Sequence, residues 1–196
     1  MRSDPILYRI IRYLSIWILK LIYRVEVINK KNIPKKGPII VVSNHKHNFD
    51  PGIFMMSTRR TIYILTKDKL HKGKFAFFFR WIGTIPVNRN IHDENAKNMA
   101  IEALNNGKAI GIFPEGTHNK TKDIIMPFKY GAVSFAKKTG ALIIPCAITG
   151  KYKAFKKGVR YEIGEPFSVD NMELVEANKL LESKVIELLK KGQKHN

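Results

Sequence analysis

The chain of 196 residues holds one cysteine, Cys146, which excludes an internal disulfide and any structural zinc site built on cysteine pairs. Cys146 sits in the apolar run Leu142-Ile143-Ile144-Pro145-Cys146-Ala147-Ile148, which marks it as core, and so few cysteines suit a reducing compartment. Long apolar runs are missing as well. The stretch over 13–19 is closed off by Arg12 and Lys20, far short of the roughly 20 apolar residues of a membrane-spanning helix. It also lacks the small-residue cleavage site of a secretory signal. No low-complexity linker or internal repeat divides the chain, so its length fits one domain. Acidic residues are scarce, 16 Asp and Glu against 35 Lys and Arg, a formal charge of +19. That excess calls for an anionic partner: nucleic acid, a phospholipid surface or a phosphate-rich cofactor.

The N-terminus supplies a surface for one of these. At 100° per residue, Arg2, Arg9, Arg12, Lys20 and Arg24 fall within about 120° of one another, opposite Leu7, Ile10, Ile11, Leu14, Trp17, Ile18, Leu21 and Ile22. A helix over 5–25 with a basic stripe against a Trp- and Ile-rich face reads as an interfacial helix. Each basic residue near an anionic leaflet adds about 1 kcal/mol of attraction. The plainer alternative packs the apolar face on the core and leaves the basic face solvated. The expected organisation is an amphipathic membrane-interface segment over 1–30 and a domain over 31–196.

Beyond a polar turn over 29–37, Pro38-Ile39-Ile40-Val41-Val42-Ser43 reads as a buried strand that delivers Asn44 and His45 at its end. Asp50-Pro51-Gly52 opens a helix, with Asp50 as its N-cap. Further strands are expected over 61–66, 83–87, 109–113, 141–148 and 159–163, and helices over 72–81, 92–106, 128–138 and 171–191. This alternation predicts an α/β domain with a mostly parallel central sheet flanked by helices. Ligands in such sheets gather beyond the carboxyl ends of the strands.

Two segments there carry chemistry. His45 and Asp50, five residues apart across a turn, can fold together so that the carboxylate holds one ring nitrogen and leaves the other to take a proton. Phe113-Pro114-Glu115-Gly116-Thr117 forms a rigid turn expected to expose an acid and a hydroxyl. Arg89 and Lys129 lie near enough in sequence to meet a phosphate. A rival reading makes His45, His47 and Asp50 metal ligands. The aromatic run Phe75, Phe77, Phe78, Phe79 and Trp81 cannot hide all its rings on one helical face; it is expected either to divide between core and an acyl groove or bilayer, or simply to pack in the core.

Asn44-His45-x4-Asp50, Gly83 to Arg89, Phe113 to Thr117, and Ile144-Pro145 resemble, in order, the four blocks of the glycerolipid acyltransferases, over about 36–150. The resemblance implies transfer of a fatty acyl group from acyl-CoA or acyl-carrier protein to the hydroxyl of lysophosphatidic acid, with no cofactor and no metal. It implies His45 as general base, Asp50 as its partner, and Arg89, Glu115, Gly116, Thr117, His118 and Lys129 around the acceptor. It also implies an enzyme held peripherally or monotopically at the cytoplasmic face of the cell membrane, on anionic phospholipid, with no nucleic-acid partner. Two positions depart from the pattern: His118 stands where arginine is usual, and His47 where serine is frequent. The first opens the alternative of a different lyso-lipid acceptor. A metal-dependent hydrolase and a basic nucleic-acid-binding protein are the readings from other classes.

Overall fold

The computed structural model describes residues 5–74, 76–88, 91, 93–156 and 158–194. Seven strands form one sheet in the order β1-β7-β6-β2-β5-β3-β4. They are β1 (Glu26–Ile28), β2 (Ile39–Ser43), β3 (Ile62–Lys67), β4 (Ile85–Val87), β5 (Ala109–Ile112), β6 (Leu142–Gly150) and β7 (Val159–Ile163). All neighbours run parallel except β6 and β7, which are antiparallel. The expected α/β architecture is therefore present.

Period-two alternation sorts the core into two layers. Ile39, Val41, Ile62, Ile64, Ile144 and Cys146 point to one face, under helices α1 (Pro5–Trp17) and α2 (Asp50–Ser57). Ile40, Val42, Ile110, Ile112 and Ile143 point to the other, under α4 (Glu94–Asn105), α5 (Gly131–Thr139) and α6 (Leu174–Gln193). A strand buried on both faces has no polar positions to spare, which is why β2 reads as an unbroken apolar run. Cys146 lies wholly inside, and burial pushes its thiol up to about 12.

The N-terminal helix departs from its expected form. It is α-helical only to Trp17, continues as a π-helical turn over Ile18–Ile22, and gives way at Arg24, whose φ is +47°. Arg24 thus leaves the helix, and β1, not foreseen, begins at Glu26 beside β7. The side facing the protein carries Tyr8, Arg12 and Leu19. Ile10, Tyr13, Leu14, Trp17 and Leu21 face outward, each more than half exposed. The apolar face is therefore divided: Leu7 and Ile11 pack against the core, while Ile10, Leu14, Trp17 and Leu21 stay outside it.

Arg12 corrects the expected basic stripe. Its Nε donates to the carbonyls of Met55 and Thr58 at 2.9 and 2.8 Å, at the C-terminus of α2, where free carbonyls and the helix dipole favour a cation. Tyr8 fixes the helix further along, its buried hydroxyl accepting from the Ile62 N–H at 3.0 Å. Of the remaining stripe, Arg9 and Lys20 are exposed, and Arg2 lies outside the described residues. In α3 (Ala76–Trp81), Phe78 and Phe79 turn into the core while Phe77 and Trp81 stay exposed; Phe75 also falls outside the described residues.

Candidate active site

Asn44 sets the first part of the site. Its side chain is buried at the end of β2, where Oδ1 accepts from the Ile148 N–H at 2.7 Å and Nδ2 donates to the Ile148 carbonyl at 3.1 Å. This two-way bond locks the end of β2 to β6, and the chain leaves the sheet as a turn that lifts His45 above its edge. His45 Nδ1 donates to Asp50 Oδ2 at 2.8 Å. A carboxylate only accepts, so the proton sits on Nδ1 and Nε2 is left as the acceptor. Among the described residues Nε2 has no protein partner, and the ring lines an open cavity of about 480 Å³.

Asp50 is fully buried, and four donors satisfy it. Oδ2 also accepts from the backbone N–H groups of Lys46 and His47 at 2.6 and 2.8 Å, and Oδ1 accepts from the Tyr152 hydroxyl at 2.6 Å. The expected capping role is not found. Asp50 is itself the first helical residue, Phe49 occupies the cap position, and the carboxylate folds back onto the turn before it. That turn wraps the carboxylate because a buried charge needs every available donor.

The second segment supplies a clamp. Glu115 is 4% exposed, and Oε1 accepts from the His45 N–H at 2.9 Å while Oε2 accepts from the Met126 N–H at 2.9 Å. The expectation of an exposed acid is thus corrected: Glu115 bridges two loops behind His45, held there by orphan backbone donors. Burial pushes its carboxyl above the usual range, with the two backbone N–H groups pulling the other way. Gly116 has φ +74°, a conformation open to glycine, and Lys129 lies across it within about the reach of a Cβ contact. Phe113, also buried, stacks on the His45 ring with centroids 4.1 Å apart and on Phe54 at 4.6 Å.

The sequence-derived site residues therefore divide into groups. His45, Thr117 and His118 line the first cavity, with Met55, Ile64 and Phe79 supplying apolar wall. Gly116 and Lys129 line a second cavity of about 430 Å³, which shares Leu65 and Phe113 with the first and carries Lys97 and Lys138. Asp50 and Glu115 stand behind, buried. Arg89 lies outside the described residues. The His118 ring meets His45 edge-on with centroids 4.1 Å apart, and burial, followed by the His45 neighbour, lowers its proton affinity.

The metal reading loses its ligand set. The His47 ring stacks on Tyr152 at 4.4 Å, its Nδ1 accepts from the Phe49 N–H, and the Asp50 oxygens are already engaged. Among the described residues no three His, Cys, Asp or Glu side chains converge. Sequence reasoning missed Tyr152, and nothing in a linear chain signals a partner 102 positions from Asp50.

A histidine held by a buried carboxylate, at the carboxyl edge of a parallel sheet between two cavities, defines an α/β protein equipped to take a proton from a bound ligand. Comparison with known proteins gives the family: the acyltransferase model matches residues 24–149, and the chain belongs to the acyltransferase family. A 1-acyl-sn-glycerol-3-phosphate acyltransferase of Borreliella burgdorferi is 32% identical over 184 residues, covering 92% of this chain and 72% of that relative. One from Bacillus subtilis is 31% identical over 157 residues, 76% of each chain. The crystal structure of the 1-acyl-sn-glycerophosphate (LPA) acyltransferase PlsC from Thermotoga maritima matches with a TM-score of 0.75 at 26% identity. It covers 97% of this chain and 79% of that one.

Proposed function

We propose that this protein transfers a fatty acyl group from a thioester, acyl-CoA or acyl-carrier protein, to the free hydroxyl of 1-acylglycerol-3-phosphate. The observation that carries the reading is the His45 ring, held through Nδ1 by Asp50 and lining the cavity. Nε2 takes the hydroxyl proton as the acceptor oxygen attacks the thioester carbonyl. The tetrahedral oxyanion collapses, the C–S bond breaks, and the imidazolium returns its proton to the departing thiolate. Asp50 keeps the proton on Nδ1 and balances the imidazolium; no cofactor enters beyond the donor, which is consumed. The first cavity, apolar along one wall, suits an acyl chain. The second, with Lys129 and Lys138, suits the acceptor phosphate, the Lys97 ammonium being paired with Glu94 at 2.8 Å. Arg89 is assigned to the same phosphate on the resemblance alone.

A second reading, a different lyso-lipid acceptor, rests on His118: a ring whose proton affinity is lowered carries no charge for a phosphate at neutral pH. Within the expected segment over 1–30, α1 and its π-helical turn act as the membrane-interface part, laid on anionic phospholipid at the cytoplasmic face, where the donors are found, while Glu26–Ile28 joins the sheet as β1. Exposed Trp17, Leu14 and Ile10 enter the lipid while Arg9 and Lys20 meet its headgroups. No helix among the described residues is long and apolar enough to cross a membrane.

Thiol release from acyl-CoA and acyl-carrier protein, with lysophosphatidic acid as acceptor, tests the reaction. Acceptor-dependent release should fall about 10³-fold in His45→Ala, within the range of general base catalysis. Release at the wild-type rate in that variant would remove His45 as the base. Release with only another lyso-lipid would select the second reading.

A further inference from the structure

We propose that Tyr152 is a positioning residue for the His45–Asp50 pair, acting through the second oxygen of Asp50; this rests on the reading of His45 as base. Its hydroxyl donates to Asp50 Oδ1 at 2.6 Å, while His45 and two backbone N–H groups share Oδ2. Apart from His45, Tyr152 is the side-chain donor that holds this carboxylate. It fixes rotation about the Cβ–Cγ bond of Asp50, which sets the direction in which Oδ2 presents to Nδ1. Without the hydroxyl, Oδ1 becomes a buried acceptor with no partner.

The placement of the ring follows from the fold. Tyr152 lies two residues beyond the end of β6, the strand that pairs with β2 and to which Asn44 is tied. Adjacent parallel strands thus deliver His45 and Tyr152 to the same end of the sheet. The phenol is stacked on His47 and meets Tyr23 edge-on at 5.4 Å, so two rings hold it in place. His47 is one of the two positions where this chain departs from the family pattern, and its ring supports the tyrosine. Tyr152 also lies just past the acyltransferase match, which ends at residue 149.

Among the described residues several titratable groups face the pair, the buried Tyr161 phenol beneath Asp50 included. Tyr152, Tyr23 and His47 stand on the Asp50 side with Lys46. His118 and Glu115 stand on the His45 side. Burial and the Asp50 charge raise the Tyr152 phenol, so it remains a donor throughout the working range.

The test is Tyr152→Phe, which keeps the stacked ring and deletes the hydroxyl. Its kcat should fall about tenfold with KM within about twofold, as for loss of one hydrogen bond to a charged group. The acid limb of its kcat/KM profile should move to higher pH, because a carboxylate that has lost a donor holds an imidazolium more tightly. A merely structural tyrosine would move neither the limb nor the ratio of kcat to KM. If the variant does not fold, 3-fluorotyrosine at position 152 replaces it; this stronger donor must move the limb to lower pH. An unmoved limb in the folded variant or in the fluorinated protein overturns the inference. His45→Ala run alongside separates the two readings: an inactive His45→Ala with an unmoved Tyr152→Phe refutes only Tyr152, whereas an active His45→Ala refutes the base itself.

Discussion

Individual side chains in this protein take their roles from burial more than from chemistry. Glu115 has the functional group of a substrate contact, yet with 4% exposure and two backbone N–H groups at 2.9 Å it serves as a brace behind His45. His118 shows the reverse: it stands in the cavity, but burial and the neighbouring His45 hold its proton affinity below the ordinary 6.5. At neutral pH it offers a phosphate only a neutral donor. His118→Arg should therefore lower KM for lysophosphatidic acid about tenfold, the worth of one charge-assisted bond, as measured by thiol release. The gain should be larger at about pH 8 than at acid pH, where a protonated His118 would supply a charge of its own. A KM equal to that of the unsubstituted protein at both pH values would mean that position 118 does not reach the phosphate, which Lys129 and its neighbours in the second cavity then hold alone. The pairing of His45 with Asp50 and the glycine-bearing turn were legible in the sequence; the inward turn of Glu115 and the enclosure of Asp50 by Lys46, His47 and Tyr152 were not.

Among the elements, α1 shows most plainly what periodicity leaves open. Spacing groups residues into arcs but does not say which arc meets the protein. Here the docking arc is the mixed one, with Tyr8, Arg12 and Leu19, because Met55 and Thr58 present carbonyls that a guanidinium satisfies and Ile62 presents an N–H that a phenol satisfies. The consequence is that only Leu7 and Ile11 of the apolar face reach the core, and Ile10, Leu14, Trp17 and Leu21 are left exposed. Replacing Leu14 and Trp17 together by glutamate, at 56% and 67% exposure, should leave the fold unchanged. Co-sedimentation with anionic vesicles should weaken by about 100-fold or more, from the lost apolar burial and the added negative charge. Turnover of detergent-dispersed acceptor should hold. Undiminished sedimentation would mean that α1 is not the contact. Exposed Phe77 and Trp81 on α3 would then be the surface to test.

For the molecule as a whole, stability and site share the same buried groups. His71 and His118 both have proton affinities lowered first by burial. The unfolded chain therefore binds protons more readily as pH drops through the ordinary value of 6.5. The stability conferred by keeping both rings neutral is complete above that value and is lost as pH falls toward the folded values. Thermal unfolding followed from about pH 7.5 to about pH 5 should show a level Tm that declines below about 6.5. The decline should be shallower in His118→Gln; identical slopes would show that His118 is not linked to folding. The sequence by itself determined the α/β class, the strands that are apolar on both faces, and the pair of turns that bear the chemistry, because side-chain period and turn residues are local properties. Only the tertiary structure decided that backbone donors enclose Asp50, that Glu115 is a brace, that α1 leaves Ile10, Leu14 and Trp17 facing outward, and that Tyr152 joins the carboxylate. Each of these depends on which buried donor or acceptor lies across from a given side chain, and the chain does not carry that information in its order.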